Sequence, residues 1–106
     1  MSEHVVVLCT VGKAKDASRI ARALVERHLA ACVNVLPGVR SFYRWKGAVE
    51  EDEERLLVIK TRRDRFEALR EALVALHPYE LPEAIVLRIE AGHAPYLGWL
   101  DESLAP

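Results

Sequence analysis

Several features common in small proteins are scarce in this chain. Only two of its 106 residues are cysteine, Cys9 and Cys32. Two cysteines do not make the disulfide framework of a secreted mini-domain, and in a reducing compartment both are expected as free thiols. No apolar run approaches the roughly 20 residues of a membrane span. The opening run is Val5 to Cys9, and no basic start precedes it, so it does not read as a secretory signal. The expected address is therefore the cytoplasm, with no membrane partner. Positive charge is not in excess either. Fifteen Lys+Arg against sixteen Asp+Glu give a net charge of −1, whereas nucleic-acid binding needs an electropositive face, so no nucleic-acid partner is expected. Repeats, linkers and low-complexity tracts are absent. So are a CxxC or HxxxH metal spacing, a G-x-S-x-G elbow and a full phosphate loop, since Gly12-Lys13 stands without the rest of that pattern. No catalytic arrangement emerges.

What is present is enough for one packed domain over residues 1–106. Hydrophobic residues make up 51%, which excludes disorder by composition and permits a core without covalent staples. Val5-Val6-Val7-Leu8-Cys9 is β-branched and apolar, and reads as a strand buried on both faces. Gly12 breaks it, and Asp16 is placed to cap the helix that follows. Ala17, Ile20, Ala21, Leu24 and His28 form that helix's inner stripe. Ala31 to Leu36 reads as a second strand. Pro37-Gly38 suggests a bulge before the chain resumes as Val39 to Trp45. Lys46-Gly47 then signals a hairpin turn. The return arm starts in acid, Glu50 to Glu54, and ends in Leu56 to Ile59, apolar on both faces. Asp64 with Glu67 resembles a capping box. The helix after it runs to Leu76 and is stopped by Pro78. Ala84 to Ile89 is a last strand, and Pro95 to Leu100 a short closing helix.

The order β-α-β-β-α-β plus a C-terminal helix is the pattern of an α+β, ferredoxin-like split β-α-β sandwich. Two helices pack on one face of a four-stranded antiparallel sheet of order 4-1-3-2. That topology brings the exit of strand one to the entrance of strand four. Cys9 and His77 are thereby expected to approach each other within one chain. Thiolate with imidazole suits copper or zinc; the alternative is a small buried hydrophobe at Cys9. Cys32 enters at the opposite end, out of bridging range of Cys9.

Three other segments attract attention. His77-Pro78-Tyr79-Glu80-Leu81-Pro82-Glu83 is a stiff loop presenting an imidazole, a phenol and carboxylates together. It either lines a polar pocket, with Glu83 or Glu80 meeting a cation or an amine, or is a solvated connection. Phe42, Tyr43 and Trp45 crowd the tip of the hairpin, where a two-stranded ribbon is marginal alone and needs another surface. Glu50 to Glu54 has charge for divalent cations but not the alternating ligands or glycine of an EF-hand loop. It reads as a solvated shoulder.

Five stretches, in consistent order from about Val5 to Leu104, resemble the CutA divalent-cation-tolerance family. They are Leu29-Ala30-Ala31-Cys32-Val33-Asn34-Val35-Leu36-Pro37-Gly38, Ser41-Phe42-Tyr43-Arg44-Trp45-Lys46-Gly47, Ile59-Lys60-Thr61, His77-Pro78-Tyr79-Glu80-Leu81-Pro82-Glu83 and Tyr96-Leu97-Gly98-Trp99-Leu100. The resemblance implies a homotrimer of ferredoxin-like protomers, similar in architecture to the PII signalling proteins, and a link to copper(II) or another divalent cation. It implies Cys9 and His77 as metal ligands. The chain departs from the fuller ligand set at Leu76, where such members can carry a second histidine.

Two functions follow as expectations. The first is a non-enzymatic trimer of divalent-cation tolerance that binds metal ions. The second is a PII-like trimer that binds a small ligand between subunits through Tyr43, Trp45, Lys60, Tyr79 and Glu83 with His77.

Overall fold

The apolar run of Val5 to Cys9 forms the first strand but is not buried on both faces as expected, because helices cover only one side of the sheet. In the computed structural model, which describes residues 3–106, β1 (His4–Val11) buries every second side chain: Val5, Val7, Cys9 and Val11 are fully buried while their neighbours are half-buried. The rest follows as α1 (Ala14–Glu26), β2 (Cys32–Trp45), β3 (Ala48–Arg62), a 3-10 turn at Arg63–Arg65, α2 (Phe66–Leu76), β4 (Ile85–Arg88) and α3 (Ala94–Leu104). The sheet order is β2-β3-β1-β4, and each neighbouring pair is antiparallel. The ferredoxin-like sandwich and its strand order are as the sequence predicts.

Cross-strand partners share a face. Val5, Val7 and Cys9 therefore stand beside Thr61, Ile59 and Leu57. That face is covered by Ala17, Ile20 and Leu24 of α1 and Leu69 and Leu73 of α2. Each fully buried leucine or isoleucine there contributes about 1.5–3 kcal/mol. Thr61, also on this face, satisfies its hydroxyl by donating to the Leu29 carbonyl at 2.7 Å. The opposite face carries Val6, Leu8, Thr10, Leu56, Val58 and Lys60, with Ile85 and Leu87 about half exposed.

β2 and β3 run on together as a ribbon. A register shift between Leu36 and Val39 accommodates Pro37-Gly38, the bulge expected there. At the tip, Lys46 and Gly47 both adopt positive φ (50° and 82°), the geometry of a type I′ turn. α3 closes the far end. Leu100 and Leu104 pack with Ala31, and Asp101 meets His4 at 3.0 Å and Arg62 at 3.2 Å.

The helix starts differ from expectation. α1 begins two residues before Asp16, with Lys13 at its N-cap; Asp16 sits in the first turn and pairs with Arg19. Asp64 falls within the 3-10 turn, bonded by Arg62, and Glu67 is taken by Arg70, so no capping box forms. His28 lies beyond α1 rather than on its stripe. It takes positive φ (58°) and ends the helix through His28 N–H to Val25 O and Leu29 N–H to Leu24 O, a Schellman closure. These caps compete with backbone alternatives that spacing does not distinguish.

Candidate functional site

β1 ends at one corner of the sheet, and Thr10 is the first residue there to face away from the helices. The ribbon rises on one side of it. On the other side the 77–83 segment descends into β4. Together they enclose an open cleft of about 650 Å³, lined by Thr10, Ser41 to Trp45, Asp52, Glu54, Tyr79 to Leu81 and Glu83.

Period-two geometry explains its carboxylates. Asp52 and Glu54 share the face of Leu56 and Val58, so they point to the same side as Thr10. Glu54 is only 5% exposed, although it closes an acidic run read as solvated. Its Oε2 accepts a hydrogen bond from the Tyr79 hydroxyl at 2.6 Å. The Tyr43 hydroxyl donates likewise to Asp52. Burial and the bond to Glu54 push the Tyr79 phenol above its ordinary range. The bond to Asp52, with lesser help from burial, pushes Tyr43 up to about 12. Glu83 is raised above the ordinary carboxyl range by burial and then by the charge of Glu54, against a lowering hydrogen bond from Thr10.

Tyr79 reaches this position because Gly12 leaves room. A Cβ at Gly12 would stand 3.0 Å from the Tyr79 hydroxyl oxygen. The Gly12 carbonyl is held by Arg55 Nη1 at 2.5 Å, which fixes the end of β1 against β3.

The structure places the sequence-predicted residues as follows. Tyr43, Trp45, Tyr79 and Glu83 all line the cleft. Lys60 does not. It lies six residues along β3 from Glu54, about 20 Å at strand spacing, with its Nζ 5.9 Å from the Tyr96 ring centre. Cys9 and His77 converge on one carbonyl: His77 Nε2 lies 2.8 Å and Cys9 Sγ 3.6 Å from Thr10 O.

Their chemical state is less open than their proximity. Burial, then the charges of Glu83 and Glu54, pushes the Cys9 thiol up to about 12, so at neutral pH it keeps its proton. His77 Nδ1 accepts the Tyr79 N–H at 3.1 Å, which leaves Nε2 to donate to Thr10 O. That is the neutral Nε2–H tautomer, with both nitrogens engaged. As arranged, the pair does not fit a bound divalent cation. Among the described residues, no three His, Cys, Asp or Glu side chains converge to hold a metal. Both cysteines are free thiols.

Glu54 is the most buried of the cleft residues that sequence reasoning missed, which include Thr10 and Asp52. The available signal was its parity with Leu56 and Val58, obscured by four neighbouring acids.

A family model described as CutA1 divalent ion tolerance protein matches residues 5–103. The chain is 52% identical over 98 residues to the divalent-cation tolerance protein CutA of Thermus thermophilus, covering 92% of this chain and 95% of that one. It is 56% identical over 89 residues to the protein CutA homolog of Xenopus laevis, covering 84% of this chain but 57% of that one. The chain thus spans little more than half of that longer relative. The crystal structure of CutA from Xylella fastidiosa superposes with a TM-score of 0.95 at 40% identity, covering 98% of this chain and all of that one.

Proposed function

Because the chain belongs to the CutA1 divalent ion tolerance family, we propose that it is a non-enzymatic protein that binds divalent cations with the carboxylates of its cleft. The observation that supports this is the Glu54–Glu83 pair. The charge of Glu54 disfavours ionisation of Glu83, and a divalent cation beside both relieves that repulsion. Asp52 lines the same cleft, but no three such side chains converge as arranged among the described residues, so a cation would have to draw these carboxylates together. Each carboxylate is already in contact with a tyrosine or threonine hydroxyl, which orients it as a metal site requires.

Copper(II) is one cation such a protein would take. A second reading keeps copper at Cys9 and His77, and their convergence on the Thr10 carbonyl favours it. It requires the thiol to ionise and His77 to give up a hydrogen bond, so this binding would fall steeply with pH.

The working form we propose is a homotrimer in the cytoplasm. Phe42, Leu36, Ile85 and Leu87 are exposed on the ribbon and on the uncovered sheet face. Apolar surface of that extent calls for a neighbour. Among the described residues, the outer edges of β2 and β4 are also unpaired within the chain. The number three is what the family resemblance implies. Among the described residues, no helix is long and apolar enough to cross a membrane.

Calorimetric titration of copper(II) and manganese(II) into wild type, Glu83→Gln, Cys9→Ser and His77→Ala tests the site. Loss of a charged ligand should weaken binding by about tenfold or more in Glu83→Gln, with Cys9→Ser unchanged. Equal affinity in Glu83→Gln, with loss in Cys9→Ser, moves the site to the thiol. Native mass spectrometry should report three chains; a single chain at micromolar concentration contradicts the assembly.

A further inference from the structure

The cleft is far larger than an ion. Its volume of about 650 Å³ falls within the range of small-molecule sites, roughly 300–1,000 Å³. Its walls are also of two kinds. Four carboxylates line it, Asp52, Glu54, Glu80 and Glu83, against one cation, Arg44. Between them stand the rings of Tyr43, Trp45 and Tyr79, while Phe42 pairs with Glu51 on the other face of the ribbon.

The hydrogen-bond polarity is one-sided. Both phenols spend their protons on carboxylates, Tyr79 on Glu54 and Tyr43 on Asp52. What they turn to a ligand is a π face and an oxygen lone pair. An anion meets acceptors and negative charge here, so the cleft is unsuited to nucleotides or other anionic ligands. A bare metal ion uses the carboxylates and leaves the aromatic walls without a role.

We propose that this cleft binds an organic cation of the aliphatic polyamine class, with methylene segments against the rings and ammonium groups at the carboxylates. Aromatic faces attract ammonium through their quadrupole and bury alkyl chain at the same time. The carboxylates sit on separate walls: Asp52 and Glu54 on β3, Glu80 and Glu83 on the 77–83 loop. Separated negative groups suit a ligand with more than one cationic nitrogen. This occupancy shares carboxylates with the divalent-cation reading but stands without it, because the aromatic walls and the size of the cleft are its own support.

The test is titration of spermidine into the assembled wild-type protein, read by calorimetry and by Trp45 fluorescence in a Trp99→Phe background. The neutral chain 1,8-octanediol is the control for hydrophobic adhesion. Saturable spermidine binding with no octanediol binding is expected. Glu83→Gln should weaken it by about tenfold through loss of a charge-assisted bond. Trp45→Leu should weaken it by about threefold through loss of the π face. Glu71→Gln, on the exposed side of α2, should leave it unchanged.

Three results overturn the proposal. One is the absence of saturable binding, as when a segment of a second copy fills the cleft. Another is equal binding of the neutral chain. The third is loss of affinity in Glu71→Gln equal to that in Glu83→Gln, which would mean diffuse attraction to an acidic surface. Copper titration of the same samples reads the metal proposal separately. Copper binding without spermidine binding sinks only this inference, and the reverse sinks only the metal one.

Discussion

Cys9 and Thr10 are adjacent in the chain and lie in different solvents. Cys9 points into the layer between sheet and helices, where its thiol is pushed up to about 12 and stays protonated. Thr10 points the other way, into a cleft lined with carboxylates and aromatic rings. The same division runs along β3, where Leu57 and Ile59 are fully buried while Leu56 and Val58 are only half-buried. One face of the sheet is a packed interior that holds the fold. The other is a surface whose chemistry is available to ligands and to neighbouring chains. A residue's usefulness as a ligand is set by which side of that division its parity assigns it to, more than by the identity of its donor atom.

The widest gap between the faces should appear in stability. Leu57→Ala opens a cavity against both helices and should cost about 2–5 kcal/mol. Leu56→Ala, on the uncovered face, should cost about 1 kcal/mol or less in the separated chain. Urea unfolding of both variants measures this, and equal losses would erase the distinction.

Tyr79→Phe removes the donor to a carboxylate that is only 5% exposed. It should cost about 2 kcal/mol, because Glu54 is left without its charge-assisted bond. Tyr43→Phe removes the same kind of bond on the exposed ribbon and should leave unfolding unchanged. The pair of variants sharpens the comparison within the cleft itself.

Gly12→Ala is smaller again. The added methyl meets the Tyr79 hydroxyl at 3.0 Å, at the end of a side chain that can give way. A loss of about 1 kcal/mol is expected. It should be absent in Gly12→Ala combined with Tyr79→Leu.

The subtlest effect is in pH. Glu83 is raised in the folded protein, so the folded state holds its proton more tightly than the unfolded one. The resulting stability is present at low pH and declines as pH rises from the ordinary carboxyl range through the folded value. Replacing Glu83 by Gln should flatten that decline. A bound cation should do the same, since it favours the ionised form.

Much of this architecture was legible because it rests on periodicity. The apolar, β-branched run of Val5 to Cys9, the Lys46-Gly47 turn and the Pro37-Gly38 bulge each require particular residues at particular places, and a strand, a turn and a bulge form there. Helix starts were less legible. Asp16 and Asp64 look like caps, yet their carboxylates serve Arg19 and Arg62 instead. The candidate site was half legible. The loop from His77 to Glu83 and the aromatics of the ribbon announce themselves by composition. Glu54 does not, because a run of like charges hides the members, Asp52 and Glu54, whose parity turns them to the cleft. Lys60 lies on the same face of β3 but about 20 Å from Glu54 at strand spacing, so within one chain it stands apart from the cleft that Tyr43, Trp45, Tyr79 and Glu83 line.

Copper(II) added to the purified protein tests the central claim most directly, because its spectra report donor type. Electron paramagnetic resonance with optical absorption should show oxygen coordination, no thiolate charge-transfer band, and a signal altered in Glu83→Gln but unchanged in Cys9→Ser. A charge-transfer band that disappears in Cys9→Ser, with nitrogen coupling lost in His77→Ala, would contradict it and place the working chemistry on the buried side of the sheet.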